Sequence, residues 1–202
     1  IPEGVTEIRE DAFAGCISLI SIKIPEGVSW VSYNLVSNTP FYEALPGNIK
    51  ITGGYLLRYI GQEKKVVIPS KIKIICPGAF EDCASLTSIN IPEGVTEIGD
   101  RAFSGCTGLF SITIPAGVTK VGWKAFSGCT RLTSINIPEG VIEIGWEAFL
   151  GCAGLTSITI SEGVPEIGLG AFLGCDSLVI RATKGSYAIE YAKEHDIKYV
   201  ET

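Results

Sequence analysis

Isoleucine, valine, leucine and phenylalanine recur along this chain at fixed places rather than in blocks. The stretch IPEGVTEIREDAFAGCISLISIK at the N-terminus returns in register from Ile68, Ile91, Ile114, Ile137 and Ile160, and these last five copies follow one another at 23 residues without a gap. A period of that length marks a solenoid, in which a unit buries its apolar positions by stacking on its neighbours. Leu19, Ile22 and the Ile24 that opens the next unit spell L-x-x-I-x-I. The alternation of its second half predicts a short strand with the isoleucines inward and Ser21 and Lys23 outward. Pro25 has no N–H to donate and ends the ladder, and Pro-Glu-Gly fits a type I turn. Val5 and Ile8 pack inward on the return path. Ala12-Phe13 is expected on a short helical turn closed by a left-handed Gly15.

The predicted fold is an α/β repeat, a right-handed solenoid with a concave parallel sheet of about eight rungs and short helical turns on the convex side. Phe13, Phe80, Phe103, Phe126, Phe149 and Phe172 share one place in the unit and should stack as an aromatic spine. Each large inward residue contributes roughly 1.5–3 kcal/mol on burial.

The residues from Cys106 to Phe126, C-x-x-L-x-x-I-x-I-P-x-x-V-x-x-[I/V]-x-x-x-A-F, resemble the BspA-like (treponemal-class, type 5) leucine-rich repeats. The likeness covers nearly the whole chain. It implies a leucine-rich-repeat solenoid of the kind found on surface proteins of bacteria and some parasitic protists, without catalytic activity or cofactor. The Asn ladder of commoner leucine-rich repeats is missing, and a Pro-x-Gly turn replaces it.

The chain reads as one domain, 1–202, with regular repeats over 1–23 and 68–182. An irregular double repeat, 24–67, runs for 44 residues, two short of two full units. In it Val36 stands where Phe is expected, and Ile49–Ile51, Gly53-Gly54 and Leu56–Tyr59 read as strand, tight turn and strand. A C-terminal cap, 183–202, combines an amphipathic helix opened by Ser186 with a final strand at Ile197–Val200. The cap would cover the last open core. The chain opens in mid-motif and holds no methionine, so it is expected to be a fragment, with any signal peptide or wall anchor outside it.

The 16 basic and 22 acidic residues leave a net charge of −6, which argues against nucleic acid. No apolar run is long enough to span a membrane. His195 stands alone in the capping helix between two acids, so no general base or metal centre can be nominated. Cys16, Cys83, Cys106, Cys129, Cys152 and Cys175 share one place in the unit. Parallel side chains suit neither a disulfide nor tetrahedral zinc, and buried free thiols are expected. Cys76 lies outside the column, and a bond to Cys83 stays open. Glu columns along the repeat read as a solvated acidic edge rather than a calcium site.

Three surfaces could meet a partner. The concave sheet offers Ser88, Ser111, Ser134 and Ser157 beside Asn90, Thr113, Asn136 and Thr159, which are small and uncharged. The convex side carries an apolar column, Trp123, Trp146 and Leu169, with Leu150 and Leu173 four residues on. This patch would suit a weak homo-oligomer. The irregular segment concentrates Trp30, Tyr33, Phe41, Tyr42, Tyr55, Arg58 and Tyr59. These are either anchors for a partner or plugs for a core that has lost its Phe-Cys pair, with plugging favoured for most. Arg58 and Lys50 could steer an acidic partner. The implied role is a surface binding or adhesion module for a protein or glycan on a host or neighbouring cell. The rival reading is a structural spacer or self-association unit of a larger surface protein.

Overall fold

The computed structural model describes residues 1–9, 11–25, 27–28, 30–31 and 34–202, the side chain of Trp30 excepted. Two parallel ladders run side by side through the regular units. The long sheet holds β5 (Lys65–Val67), β7 (Ser88–Asn90), β9 (Ser111–Ile112), β11 (Ser134–Ile137), β13 (Ser157–Ile160), β14 (Val179–Ala182) and β15 (Lys198–Glu201), in that order. The return sheet holds β6 (Ile74–Ile75), β8 (Glu97–Ile98), β10 (Lys120–Val121) and β12 (Glu143–Ile144). Register follows the sequence repeat: Ser134 faces Ser157 and Ile135 faces Ile158, while Lys120 faces Glu97 and Glu143. The alternation predicted for the strand is present, with Ile135 and Ile137 buried and Ser134 and Asn136 exposed.

The third side of the unit corrects the expectation of helical turns. Ala102, Ser104 and Cys106 donate to Gly99, Arg101 and Phe103, bonds of 3.2, 3.0 and 3.2 Å that each span three residues. The N–H groups between them point sideways instead. Arg101, Phe103 and Gly105 donate at 2.7, 2.7 and 2.8 Å to the carbonyls of Trp123, Ala125 and Ser127 in the next unit. An α-helix would keep those donors for itself four residues back. Here half of them knit rung to rung.

Close approach of the rungs explains one glycine column. A Cβ on Gly145 would lie 2.6 Å from the Gly122 carbonyl carbon and 2.7 Å from the Trp123 nitrogen, both backbone. The expected aromatic spine forms over Phe80, Phe103, Phe126, Phe149 and Phe172, with neighbouring ring centroids 5.1–5.6 Å apart and rings within 13° of parallel. Beside it, Cys106, Cys129, Cys152 and Cys175 donate their S–H groups to the Phe carbonyl of the preceding unit at 3.1–3.2 Å. Cysteine therefore supplies a small apolar body with a weak donor at a buried carbonyl.

The N-terminal end departs from this pattern. Phe13 is half-buried and outside the stack, Cys16 is exposed, Cys83 is half-exposed, and Leu19, Ile22 and Ile24 form no strand. Burial of all six column cysteines, as the repeat suggested, thus holds for four. The short strands β1 (Glu7–Ile8) and β2 (Trp30–Val31) pair in parallel and belong to a second, smaller core with Val28, Leu35 and Val36.

The irregular segment keeps the repeat frame further than its sequence suggests. Asn34 and Asn38 take left-handed φ values of 59° and 55°, matching Asp11 at 55° and Gly15 at 66°. Phe13 and Gly15 donate to Leu35 and Ser37 as regular units do to each other. The frame breaks at Thr39. There α1 (Pro40–Ala44) begins, with the Thr39 hydroxyl accepting from the Tyr42 N–H at 3.1 Å and Pro40 in the first turn. A hairpin follows, β3 (Ile49–Thr52) and β4 (Tyr55–Tyr59), as the strand-turn-strand pattern predicted. β4 joins the return sheet beside β6. Because 40–44 are helical, the strand that would precede β5 is missing, and the long sheet has seven strands rather than about eight.

The C-terminal cap forms as expected from α2 (Tyr187–Glu194) and β15. Tyr191 closes the spine edge-on, 5.9 Å from Phe172. Ser186 sits at the helix N-cap, yet its buried hydroxyl has no hydrogen-bond partner among the described residues.

Candidate binding surfaces

Two of the candidate anchor tyrosines are part of the core, as the plugging alternative had it. Tyr59 is 4% exposed and stacks 5.4 Å from Phe80, taking the place of the missing Phe. Its backbone N–H donates to Ala79, as Phe80 donates to Ala102. Its hydroxyl donates to the Glu63 carboxylate. Burial first, then that carboxylate, pushes the phenol up to about 12. Tyr55 is also 4% exposed, and its hydroxyl lies 2.9 and 2.8 Å from the carbonyls of Pro25 and Val28, joining the two cores. Neither can serve as a surface anchor.

Arg58 is half-buried and bound to the Gly78 carbonyl, with Glu81 3.9 Å away. Lys50 is buried and donates to the Leu45 carbonyl at 2.6 Å, which removes it as a steering charge. Phe41 and Tyr42 are half-buried, and Tyr42 shares a cleft of about 240 Å³ with Arg58, Asn34, Asn38 and Glu43. The Trp30 side chain and Tyr33 lie outside the described residues. The segment therefore brings together Tyr42 and Arg58, and folds its other described tyrosines inward.

On the turn side the apolar column stands in solvent. Trp146, Leu169 and Leu173 are 63%, 73% and 66% exposed, Trp123 is 37% exposed, and Leu150 is half-buried. Asp100 holds the same place one unit earlier, so the site tolerates charge where nothing apolar is needed. The Trp146 ring lies over Gly168, where a Cβ would come within 2.5 Å of it. Arg101 and Lys124 stand 4.5 and 4.8 Å from the Trp123 ring and are paired with Glu81 and Glu147 at 3.5 and 2.9 Å. At the other end Leu173 borders a cleft of about 400 Å³ lined by Phe172, Tyr191, His195 and Ile197. His195 stacks on Tyr191 at 4.0 Å, with its Nδ1 2.9 Å from the Tyr191 carbonyl.

The long-sheet face carries the Ser, Thr and Asn columns predicted for it. At its two ends Val67 and Val200 are exposed instead, in register with Asn90 and Arg181. Cys76, Cys106, Cys152 and Cys175 are not poised as nucleophiles. Burial raises Cys76 and Cys106 well above the usual thiol range, and neighbouring thiols, with burial, do the same for Cys152 and Cys175. All seven cysteines are free, so Cys76 and Cys83 are not bonded.

The family profile for the BspA type leucine rich repeat region matches this chain over residues 1–61 and 50–179, in six copies. The chain belongs to the BspA-type leucine-rich-repeat family. Among solved structures, a leucine-rich-repeat protein of T. pallidum is 34% identical over 63% of this chain and 62% of its own, with a TM-score of 0.62. A leucine-rich cell surface protein of Faecalibacterium prausnitzii is 31% identical over 95% of this chain and 54% of its own, at 0.70. The pneumococcal vaccine antigen PcpA shares the fold at 16% identity, over 89% of this chain and 55% of its own, with a TM-score of 0.63. The BspA-type chain thus spans between half and two thirds of these proteins. No curated protein matches it in sequence.

Proposed function

We propose that this repeat scaffold is a non-catalytic binding module displayed at a cell surface, and that it holds a protein partner through the apolar column on its turn side. The observation that carries the reading is the exposure of Trp146 on one rung and of Leu169 and Leu173 on the next. Large apolar side chains in a contiguous exposed patch mark contact sites. Tryptophan is the residue type whose truncation most often costs 2 kcal/mol or more at an interface. The adjoining cleft at Leu173 gives the patch a recess for a partner's side chain. Surface display is supported by the F. prausnitzii neighbour, described as a cell surface protein, and by the family. No helix among the described residues is long and apolar enough to cross a membrane.

The test is a binding screen of the chain against extracellular-matrix proteins and glycans. Trp146→Glu with Leu169→Glu should lower affinity about 30-fold or more, while Asn136→Ala with Thr159→Ala leaves it unchanged. Loss of binding in the second pair alone places the site on the long sheet and sinks the proposal. The same patch would also serve self-association. Light scattering that gives a dimer for the wild type and a monomer for Trp146→Glu supports that second reading.

A further inference from the structure

The long sheet stops at β5, although the solenoid continues beyond it. Through β7, Lys64, Val66 and Ile68 use their backbone groups: Ser88 donates to Lys64 at 3.2 Å and Ile68 donates to Asn90 at 3.2 Å. The parallel register Lys65–Ser88, Val66–Ile89 and Val67–Asn90 assigns the bonds between them to Val66. The N–H and C=O groups of Lys65 and Val67 therefore point the other way. There, among the described residues, β5 pairs with no strand, because the segment 40–44 is helical. What lies along that edge is an open groove of about 450 Å³, with Lys65, Val66, Val67 and Pro69 on one side and Gly47, Asn48, Ile49 and Ile51 on the other.

We propose that this groove is a strand-addition site, which takes an extended peptide as the rung the sequence does not supply. The unpaired backbone of Lys65 and Val67 offers two donors and two acceptors in strand geometry, the main-chain basis of such binding. The groove also specifies its occupant. On the inner side Ile49 and Ile51 pack against the main core and want apolar side chains. On the outer side Val67 is 70% exposed and Lys65 is exposed, with Lys64 and Lys71 also exposed close by in the chain. The one acid in the groove, Glu63, is held by Tyr59 and by the Asn48 amide at 2.8 Å. An acidic residue alternating with an apolar one, over about five residues, matches both walls. Edge lysines also discourage unwanted strand pairing. Here they make the edge selective, repelling basic strands and giving uncharged ones no charge match.

This site lies apart from the turn-side column, so either can fail without the other. The experiment titrates the chain with a fluorescent peptide of alternating Asp and Val. Three comparisons accompany it: the Lys-Val counterpart, an Asp-Val peptide N-methylated at alternate residues, and the Lys65→Glu variant, whose exposed position leaves folding intact. Binding of the Asp-Val peptide is expected. N-methylation should abolish it, the Lys-Val peptide should bind at least about tenfold more weakly, and Lys65→Glu should reverse that order. Amide exchange at Lys65 and Val67 should slow on binding. Failure of the Asp-Val peptide to bind, or equal binding of the N-methylated form, overturns the proposal. Concentration-dependent mass growth of the chain alone, abolished by Val67→Asp, also overturns it, in favour of a second copy docking its own β15.

Discussion

The regular rungs and the N-terminal unit carry the same repeat motif and differ in how much of it is buried. Phe103 and Phe126 are fully buried between like neighbours, whereas Phe13, at the same place in its unit, is half-buried. Cys129 donates to a carbonyl inside the core, and Cys16 faces solvent. The same inward residues are thus buried to different extents, because in a solenoid the neighbour completes each unit. Between the two regions the hairpin acts as an adapter. Tyr59 ends one aromatic spine, and the Tyr55 hydroxyl reaches into the other core.

Thiol reactivity should show the largest contrast. With a thiol reagent and no denaturant, Cys16 should react at once and Cys83 more slowly. Cys76, Cys106, Cys129, Cys152 and Cys175 should stay protected by several orders of magnitude until the chain unfolds. Equal fast reaction of all seven would erase the comparison. Next in size, Phe126→Ala should cost about 3–5 kcal/mol in denaturant unfolding, against a third of that or less for Phe13→Ala. Equal losses would mean that the N-terminal unit is packed as tightly as the rest.

Gly145→Ala should cost about 1–3 kcal/mol, since its Cβ meets backbone of the preceding rung. Gly27→Ala, with nothing within 4 Å of the added carbon, should stay within about 0.5 kcal/mol. The smallest effect is alkaline. Tyr59 is protonated in both states below pH ~10, so its contribution is intact there. Above that the unfolded phenol ionises first, and stability should fall as pH rises towards the folded value of about 12. Tyr59→Phe should lack this part of the fall in a pH series of melts. A series identical to wild type would place the tyrosine outside the core.

Much of this was legible in the sequence. The 23-residue period, the inward isoleucines and the Phe spine follow from spacing that repeats, and the hairpin after Asn48 and the capping helix from local patterns where the repeat breaks. The apolar column was legible too, because Trp123 and Trp146 replace an acid at a fixed place. The helix at Pro40–Ala44 was signalled only by Thr39-Pro40, a cap followed by a first-turn proline. The lateral use of alternate N–H groups gave no sequence signal at all.

Periodicity determines which side chains point inward, since that depends only on the local path of one unit. It does not determine whether anything is there to meet them. Tyr55, Tyr59 and Arg58 read in the sequence as either partner anchors or core plugs, and spacing does not decide between them. They are plugs or tethers in the structure, where Tyr59, 46 residues or two full periods after Phe13, fills the Phe place against Phe80. The open edge of β5 is likewise invisible in any window of residues. It exists because a helix two dozen residues earlier declined to be a strand, and backbone pairing, unlike side-chain direction, is decided by the neighbour.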